Sequence, residues 1–531
     1  MWSPMKLRQS LWGIAAGQLA LLALLSWHFR HALNTDAVAY IRIASYYADG
    51  NTTLALSGYW GPLLSWLMAG LLKLGVPELI AARLAMSVSA LVFLWGCVAV
   101  FESLQLPQRW SVIGAALAAL AGAYWSILEI TPDLLMAGLV ALAASRMGDD
   151  TKSRISSDAA TGLLWGLAYL TKAAALPLGF LTIFAFAGLA HARNRGARLA
   201  VVGPLLVRSV VFALVAAPWV TVLSLKYHQL TFSTTARISH ALTGPGDVDR
   251  YHPFGRTFHQ PEPGRITSWE EPSLMAYQSW SPFENAASLR HQIKVVGRNV
   301  ILIALLLTSL NLGWWMLIPA LWRARSNLES PTPTGWNYAQ LLVVPVLLAV
   351  VYLPFSLTIT QQRFFYAVFP FFFAGLALWA EAASARQRPG NFKQAFVILS
   401  TCLPLLATAI FIGDSTKFSG ECAFELTNRI QAAKLGGPVA GSGSLTGGRA
   451  GLYVSFLLKQ PWLGDEPDPS TASLKKSGAR LVVVKRNLPL ANALNADEAF
   501  TNLDSLLFAN GPEARDFPLQ VYEIRSPASK P

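Results

Sequence analysis

Residues 79–103 read LIAARLAMSVSALVFLWGCVAVFES, 25 residues that are apolar almost without interruption. The hydrocarbon core of a bilayer takes about 20 helical residues to cross. No water reaches that core, so backbone amides and carbonyls there must bond one another, in helices or in a closed barrel. A barrel strand would alternate polar and apolar residues; this run does not, so it reads as a transmembrane helix. Similar runs lie at roughly 10–28, 110–127, 133–147, 159–172, 174–191, 200–225, 294–322, 338–357, 365–383 and 394–413, which gives about eleven spans. The runs 159–172 and 174–191 share one apolar stretch broken around Lys172 and also fit a single kinked element. Composition agrees, with 53% hydrophobic and 13% charged residues, against about 25% charged in an ordinary soluble domain.

Lysine and arginine in the short connections set the orientation. With a cytoplasmic N-terminus, the inner segments carry Lys6 and Arg8, Arg109, Lys152 and Arg154, then Arg193, Arg195 and Arg198, then Arg323 and Arg325, and last Arg386, Arg388 and Lys393. The turns near Thr131 and Thr358 on the other side carry almost none. The formal net charge of +13 is therefore mostly this asymmetry. No basic patch interleaved with aromatics marks a nucleic-acid surface. The first run has the basic start of a signal peptide, but no small-x-small cleavage site follows Ser26-Trp27-His28, so it reads as an anchor. Cys97 and Cys402 fall in predicted spans and Cys422 outside them, in no disulfide or zinc spacing.

The segments 29–78, 129–133, 226–293 and 414–531 then share the outer face, while the inner connections are short. Chemistry is expected outside. The first segment contains LNTDAVAYIRIASYYADGN, residues 33–51, in which Asp36 opens a short amphipathic helix with Val38, Ile41, Ala44 and Ala48 on one face and Arg42 turned away. After the turn at Asp49-Gly50-Asn51 comes GPLLSWLMAGLLKLG, residues 61–75, with Pro62 in a helix-start position. It is short for a span, and Trp60 and Trp66 suit a helix lying in the interface. The two helices would form a shelf with Asp36 at its edge.

The pieces DAVAYIRIA at 36–44, YWGPLLSWLMAGLLKLG at 59–75, ITPDLLMA at 130–137, GLLWGLAYLTKAAALPLG at 162–179 and QQRFFYAVFPFFFAGLAL at 361–378 carry a resemblance by their order and spacing. Together they resemble the GT-C glycosyltransferases that use polyprenyl-phosphate sugars, a group that includes the dolichyl-phosphate-mannose protein mannosyltransferases and the aminoarabinose transferases of lipid A. The resemblance implies an α-helical polytopic membrane protein of GT-C type in a bacterial inner membrane. It also implies a polyprenyl-phosphate-linked sugar as donor, with a glycolipid, polysaccharide or protein as acceptor. Many relatives carry Asp-Glu in the first outer loop; here Asp36 is followed by Ala37, so the second carboxylate of that pair is missing.

Such a transfer inverts the anomeric carbon and needs a base on the acceptor side, the role open to Asp36. The departing phosphate gains charge, which cations stabilise. Lys172 and Arg363, near the outer ends of predicted spans, are the candidates, Arg363 with a planar fork that matches phosphate. A divalent metal ion is a further candidate for this task. Each residue also has a structural reading. Asp36 suits the positive end of a helix. Thr131-Pro132-Asp133 is an ordinary helix start, so Asp133 is open to either reading. Glu129, just before that start, has no such local reason and is a further candidate for an acceptor or metal site. Lys172 and Arg363 can snorkel to the interface.

The segment 226–293 holds His228, His240, His252, His259 and His291 at irregular spacings without a recognisable ligand pair. It reads as a mobile loop that covers the site or meets the acceptor. The tail 414–531 reads as a small α/β domain with strands at PVAGS, ARLVVVK and LQVYEIR and helices at AGLYVSFLLK and within 493–508. Its GSGSLTGG run, 441–448, lacks the Lys-Ser/Thr of a P-loop. The domain division is then 1–413 and 414–531. A transporter or flippase of lipid-linked sugars is the alternative reading, although no repeated halves with broken helices stand out. A non-catalytic scaffold would leave the acids and cations unexplained.

Overall fold

The computed structural model describes residues 4–147, 154–193, 198–246, 250–318, 333–354, 361–384, 391–442, 449–508 and 516–525. Lys152, Arg195, Arg323, Arg325, Thr358, Arg386, Arg388 and most of the 441–448 glycine run lie outside the described residues. The helices are α1 (Pro4–His28), α2 (Thr35–Ala48), α3 (Thr52–Ala55), α4 (Pro62–Lys73), α5 (Glu78–Ser103), α6 (Gln108–Leu128) and α7 (Asp133–Ser145). They continue as α8 (Ile155–Thr171), α9 (Ala175–Arg193), α10 (Arg198–Tyr227), α11 (Thr235–Ala241), α12 (Ala286–Leu310), α13 (Pro333–Tyr352), α14 (Phe369–Ser384) and α15 (Asn391–Ala432). Helix α16 (Ala450–Leu458) belongs to the tail.

Seven helical stretches among the described residues are long and apolar enough to cross a membrane, and Asp133–Ser145, Leu341–Tyr352 and Phe392–Leu406 are shorter apolar helices. Each predicted span coincides with a helix, with shifts at the ends. The run 294–322 stops being α-helical at Leu310, and 365–383 opens with a tight 3-10 stretch, Gln362–Val368. The runs on either side of Lys172 are two helices, because Lys172 itself is extended (φ −152°, ψ 129°). Without a hydrophobic drive between helices in lipid, close backbone approach does much of the packing. Helices α5 and α7 meet in this way, since a Cβ on Gly96 would stand 2.6 Å from the Gly138 carbonyl oxygen.

Pro62 at the start of α4 pre-sets its helical φ, with extended Gly61 as the cap. Helix α2 differs from the expected half-solvated helix. Its residues Ala37–Ile41 and Ile43–Tyr46 are buried, and Arg42, expected to face away, is turned onto the buried carboxylate of Glu270 at 3.9 Å with Tyr46 beneath it. The reason is a cover the periodicity does not reveal: segment 226–293 folds over α2. It forms α11 and three 3-10 turns, with Phe254, Trp269, Glu270 and Glu271 buried.

Residue 414 lies inside α15, and the sheet begins at Val439. Its strands are β1 (Val439–Ser442), β2 (Trp462–Asp465), β3 (Leu481–Lys485), β4 (Phe500–Asn502) and β5 (Leu519–Ile524), in the order β2-β1-β3-β5-β4. β1 is parallel to β2 and β3, and β5 is antiparallel to β3 and β4. The edge of β2 does not stay open: His259 N donates to Leu463 O at 2.5 Å and Trp462 N to Ile266 O at 2.7 Å. One apolar core lies within the helices; a second joins α2, α4, the 250–275 stretch and the tail through Tyr40, Trp60, Trp269, Tyr453 and Trp462. The candidate site lies at the α2 end of this second core.

Candidate active site

Each site residue stands where a helix begins or ends, because backbone at such points is free to turn a polar side chain inward. Asp36 occupies the first turn of α2, after the extended N-cap Asn34. The Asn34 side chain reaches away from its own helix and accepts from Ile130 N at 3.0 Å, which ties this turn to the 129–133 segment. Glu129 is the extended C-cap of α6, and Asp133 is the first residue of α7. Lys172 lies in the break between α8 and α9, and Arg363 in the 3-10 stretch ahead of α14.

These five residues, named from sequence positions up to 327 apart, form one ion-pair network. Arg363 is its centre. Its Nη2 is 2.8 Å from Asp36 Oδ2, its Nη1 3.1 Å from Glu129 Oε2, and its Nε 3.8 Å from Asp133 Oδ2. Gln361 Oε1 accepts from the same guanidinium at 2.7 and 2.9 Å and holds its plane. Lys172 Nζ is paired with Asp133 Oδ1 and lies 4.0 Å from the centre of the Phe364 ring. Asp133 is 2% exposed, Asp36 18% and Glu129 39%, so the network runs from a closed floor to an open rim. Three carboxylates face two cations, leaving one excess negative charge.

The wall above Asp36 comes from residues the sequence reading did not single out. Trp269 Nε1 donates to Asp36 Oδ1 at 3.4 Å, across 233 positions. A capping box between Thr267 and Glu270 fixes the turn that carries it. Trp60 Nε1 donates to the Trp269 carbonyl at 2.9 Å, and Tyr59, Trp60, His252 and Phe254 pack around the indole with ring centres 4.6–5.3 Å away. The His252 ring is bonded to Tyr277 Oη at 2.9 Å, and burial lowers its imidazole to about 4. Beneath, Glu270 accepts from Tyr46 Oη at 2.6 Å and from Ile266 N at 3.0 Å; burial pushes its carboxyl up against the pull of Arg42. The tail reaches the same place: Tyr453 of α16 is buried in the core it shares with α2, and Arg449 lies over Phe254 while pairing with Asp465 at 2.9 Å.

Three other histidines of the 226–293 segment have local partners: His240 stacks on Trp280, His259 is bonded to Ser268 Oγ and His291 to Thr243 O. Among the described residues no group of three or more His, Cys, Asp or Glu is placed to hold a metal ion. Asp36, Glu129 and Asp133 each face Arg363 or Lys172, so this donor set does not fit a divalent cation.

No protein-family model and no curated protein matches the chain. Among solved structures, it is similar over nearly its whole length to two of ArnT, and it shares their fold. ArnT from Cupriavidus metallidurans bound to undecaprenyl phosphate aligns with a TM-score of 0.57 at 16% identity, covering 98% of either chain. The apo form of ArnT from the same organism aligns at 0.53 and 16% identity, covering 96% of this chain and 98% of that one.

Proposed function

We propose that this protein is an integral-membrane inverting glycosyltransferase. It moves a sugar from a polyprenyl-phosphate donor to a hydroxyl of a glycolipid, polysaccharide or protein at the outer face of a bacterial inner membrane. The N-terminus is cytoplasmic and the tail domain periplasmic. The observation that carries this reading is Arg363, one guanidinium facing Asp36, Glu129 and Asp133 at once.

A guanidinium fork fits a phosphate as well as a carboxylate. The donor phosphate takes Arg363 and Lys172 as its partners, and Arg363 gives up Asp36. Released from its cation, the Asp36 carboxylate is free to take a proton. The acceptor oxygen then attacks the anomeric carbon from the face opposite the phosphate. Its proton passes to Asp36, and the carbon–oxygen bond to phosphate breaks with both electrons going to the phosphate. Glu129 and Asp133 hold the two cations in place. Trp269 fixes the rotamer of Asp36, and the Tyr59–Trp60–Trp269 wall excludes water beside it.

The test is incubation of the purified full-length protein with a panel of polyprenyl-phosphate sugars. Consumption of one donor, with sugar passed to an acceptor or to water, supports the reading. No consumption of any donor, combined with movement of an intact lipid-linked sugar across liposomes, replaces the enzyme by a transporter.

A further inference from the structure

Arg83 lies in the second turn of α5 and is 7% exposed, yet it faces no carboxylate among the described residues. Its guanidinium bonds backbone carbonyls from both terminal nitrogens. Nη1 donates to Ile127 O at 2.9 Å, and Nη2 donates to Ala32 O at 2.6 Å and Phe29 O at 3.1 Å. Ile127 is in the last turn of α6, where carbonyls have no partner within the helix. Phe29 and Ala32 belong to the short link between α1 and α2. A buried cation is strongly disfavoured unless hydrogen bonds replace its water. This one is placed where two chain segments need donors.

Those two segments carry the acids of the network. Ala32 precedes Asp36 by four residues, and Ile127 precedes Glu129 by two. The Asn34–Ile130 hydrogen bond joins the same two segments a few residues further on. Arg363 can face Asp36 at 2.8 Å and Glu129 at 3.1 Å only while those segments keep their separation. We propose that Arg83 is a positioning residue, whose fork sets the spacing between Asp36 and Glu129 and so keeps both within reach of Arg363. A lysine would place its three donors on one nitrogen, without the planar fork that holds the two sets of carbonyls apart. The structural claim stands without the proposed reaction; only its kinetic consequence rests on that reading.

The experiment uses full-length wild type, Arg83→Lys and Arg83→Gln in lipid nanodiscs. Hydrogen–deuterium exchange is expected to rise about tenfold at residues 29–36 and 127–131 in both variants and to stay at wild-type levels in α9 and the sheet. Donor turnover is expected to show kcat lowered about ten- to a hundredfold with donor KM within about twofold. In an Asp36→Asn background, Arg83→Lys is expected to add almost nothing, because its effect passes through the spacing of Asp36. Wild-type exchange at both segments in Arg83→Lys overturns the proposal, as does an equal fold-loss with and without Asp36. If Arg83→Gln does not fold, Arg83→Lys decides. If wild type consumes no donor while exchange rises as stated, the glycosyltransferase reading fails and the clamp stands.

Discussion

Arg363 Nη2 and Asp36 Oδ2 are 2.8 Å apart, so the acid proposed as the base is paired with the cation proposed for the donor phosphate. The pair joins the first turn of α2 to the 3-10 stretch ahead of α14, and neither side chain is more than 18% exposed. In this state the carboxylate is restrained, and arrival of an anion is what would free it.

Asp36→Asn keeps shape and removes the base. Donor turnover by this variant should fall by about 10²–10⁴. Its melting temperature should stay within a few degrees, since Arg363 retains Glu129 and Gln361. Radiolabelled donor consumption beside a thermal melt separates the two effects; normal turnover would remove Asp36 from the mechanism.

Two substitutions at Arg363 should behave differently. Arg363→Lys keeps the charge but loses the fork, so donor kcat/KM should drop at least about tenfold with modest loss of stability. Arg363→Ala leaves three partly buried acids with Lys172 alone and should destabilise by about 3–5 kcal/mol. Denaturation and kinetics on both variants check this; equal behaviour would mean the fork is irrelevant.

Gly61 caps α4, and a Cβ there would stand 2.2 Å from the carbonyl oxygen of Thr171, the residue before Lys172. Gly61→Ala should therefore push the α8–α9 break aside, cost about 1–3 kcal/mol and weaken donor binding through Lys172. A variant with wild-type stability and donor KM would show that the break can shift freely.

His252 predicts a pH dependence of stability. Burial lowers it to about 4 from an ordinary 6.5. Above 6.5 the ring is neutral in folded and unfolded chains alike, and its contribution is complete. As pH falls from 6.5 to about 4, the unfolded chain gains a proton that the folded chain refuses, and stability declines by on the order of 2–3 kcal/mol. Melting temperatures at pH 7.5 and 4.5 should differ less in His252→Gln than in wild type; an unchanged difference would assign the acid sensitivity to other groups.

The helices were legible because long apolar runs have few alternatives in a bilayer, and the polar site residues because they interrupt or flank such runs. Asp36, Glu129, Asp133, Lys172 and Arg363 all stand out for that reason, and all five meet. Trp269 and Tyr453 did not stand out, since an aromatic residue in a loop or an apolar tail helix has no local pattern tying it to Asp36. Arg42 was misplaced for a related reason: a helical stripe presumes one wet face, and the cover over α2 comes from residues more than 200 positions away. Strands β2 and β4, four and three residues long, escaped the reading of the tail.

Helix α15 runs without a break for 42 residues, from the last apolar stretch to the doorstep of the sheet. A helix keeps phase: each residue added or removed turns the downstream chain by about 100° and moves it about 1.5 Å along the axis. A chimera that grafts another tail onto this rod must therefore be cut and rejoined in register. A junction slipped by one residue would swing α16 off α2, and the foreign module would arrive correctly folded but facing the wrong way.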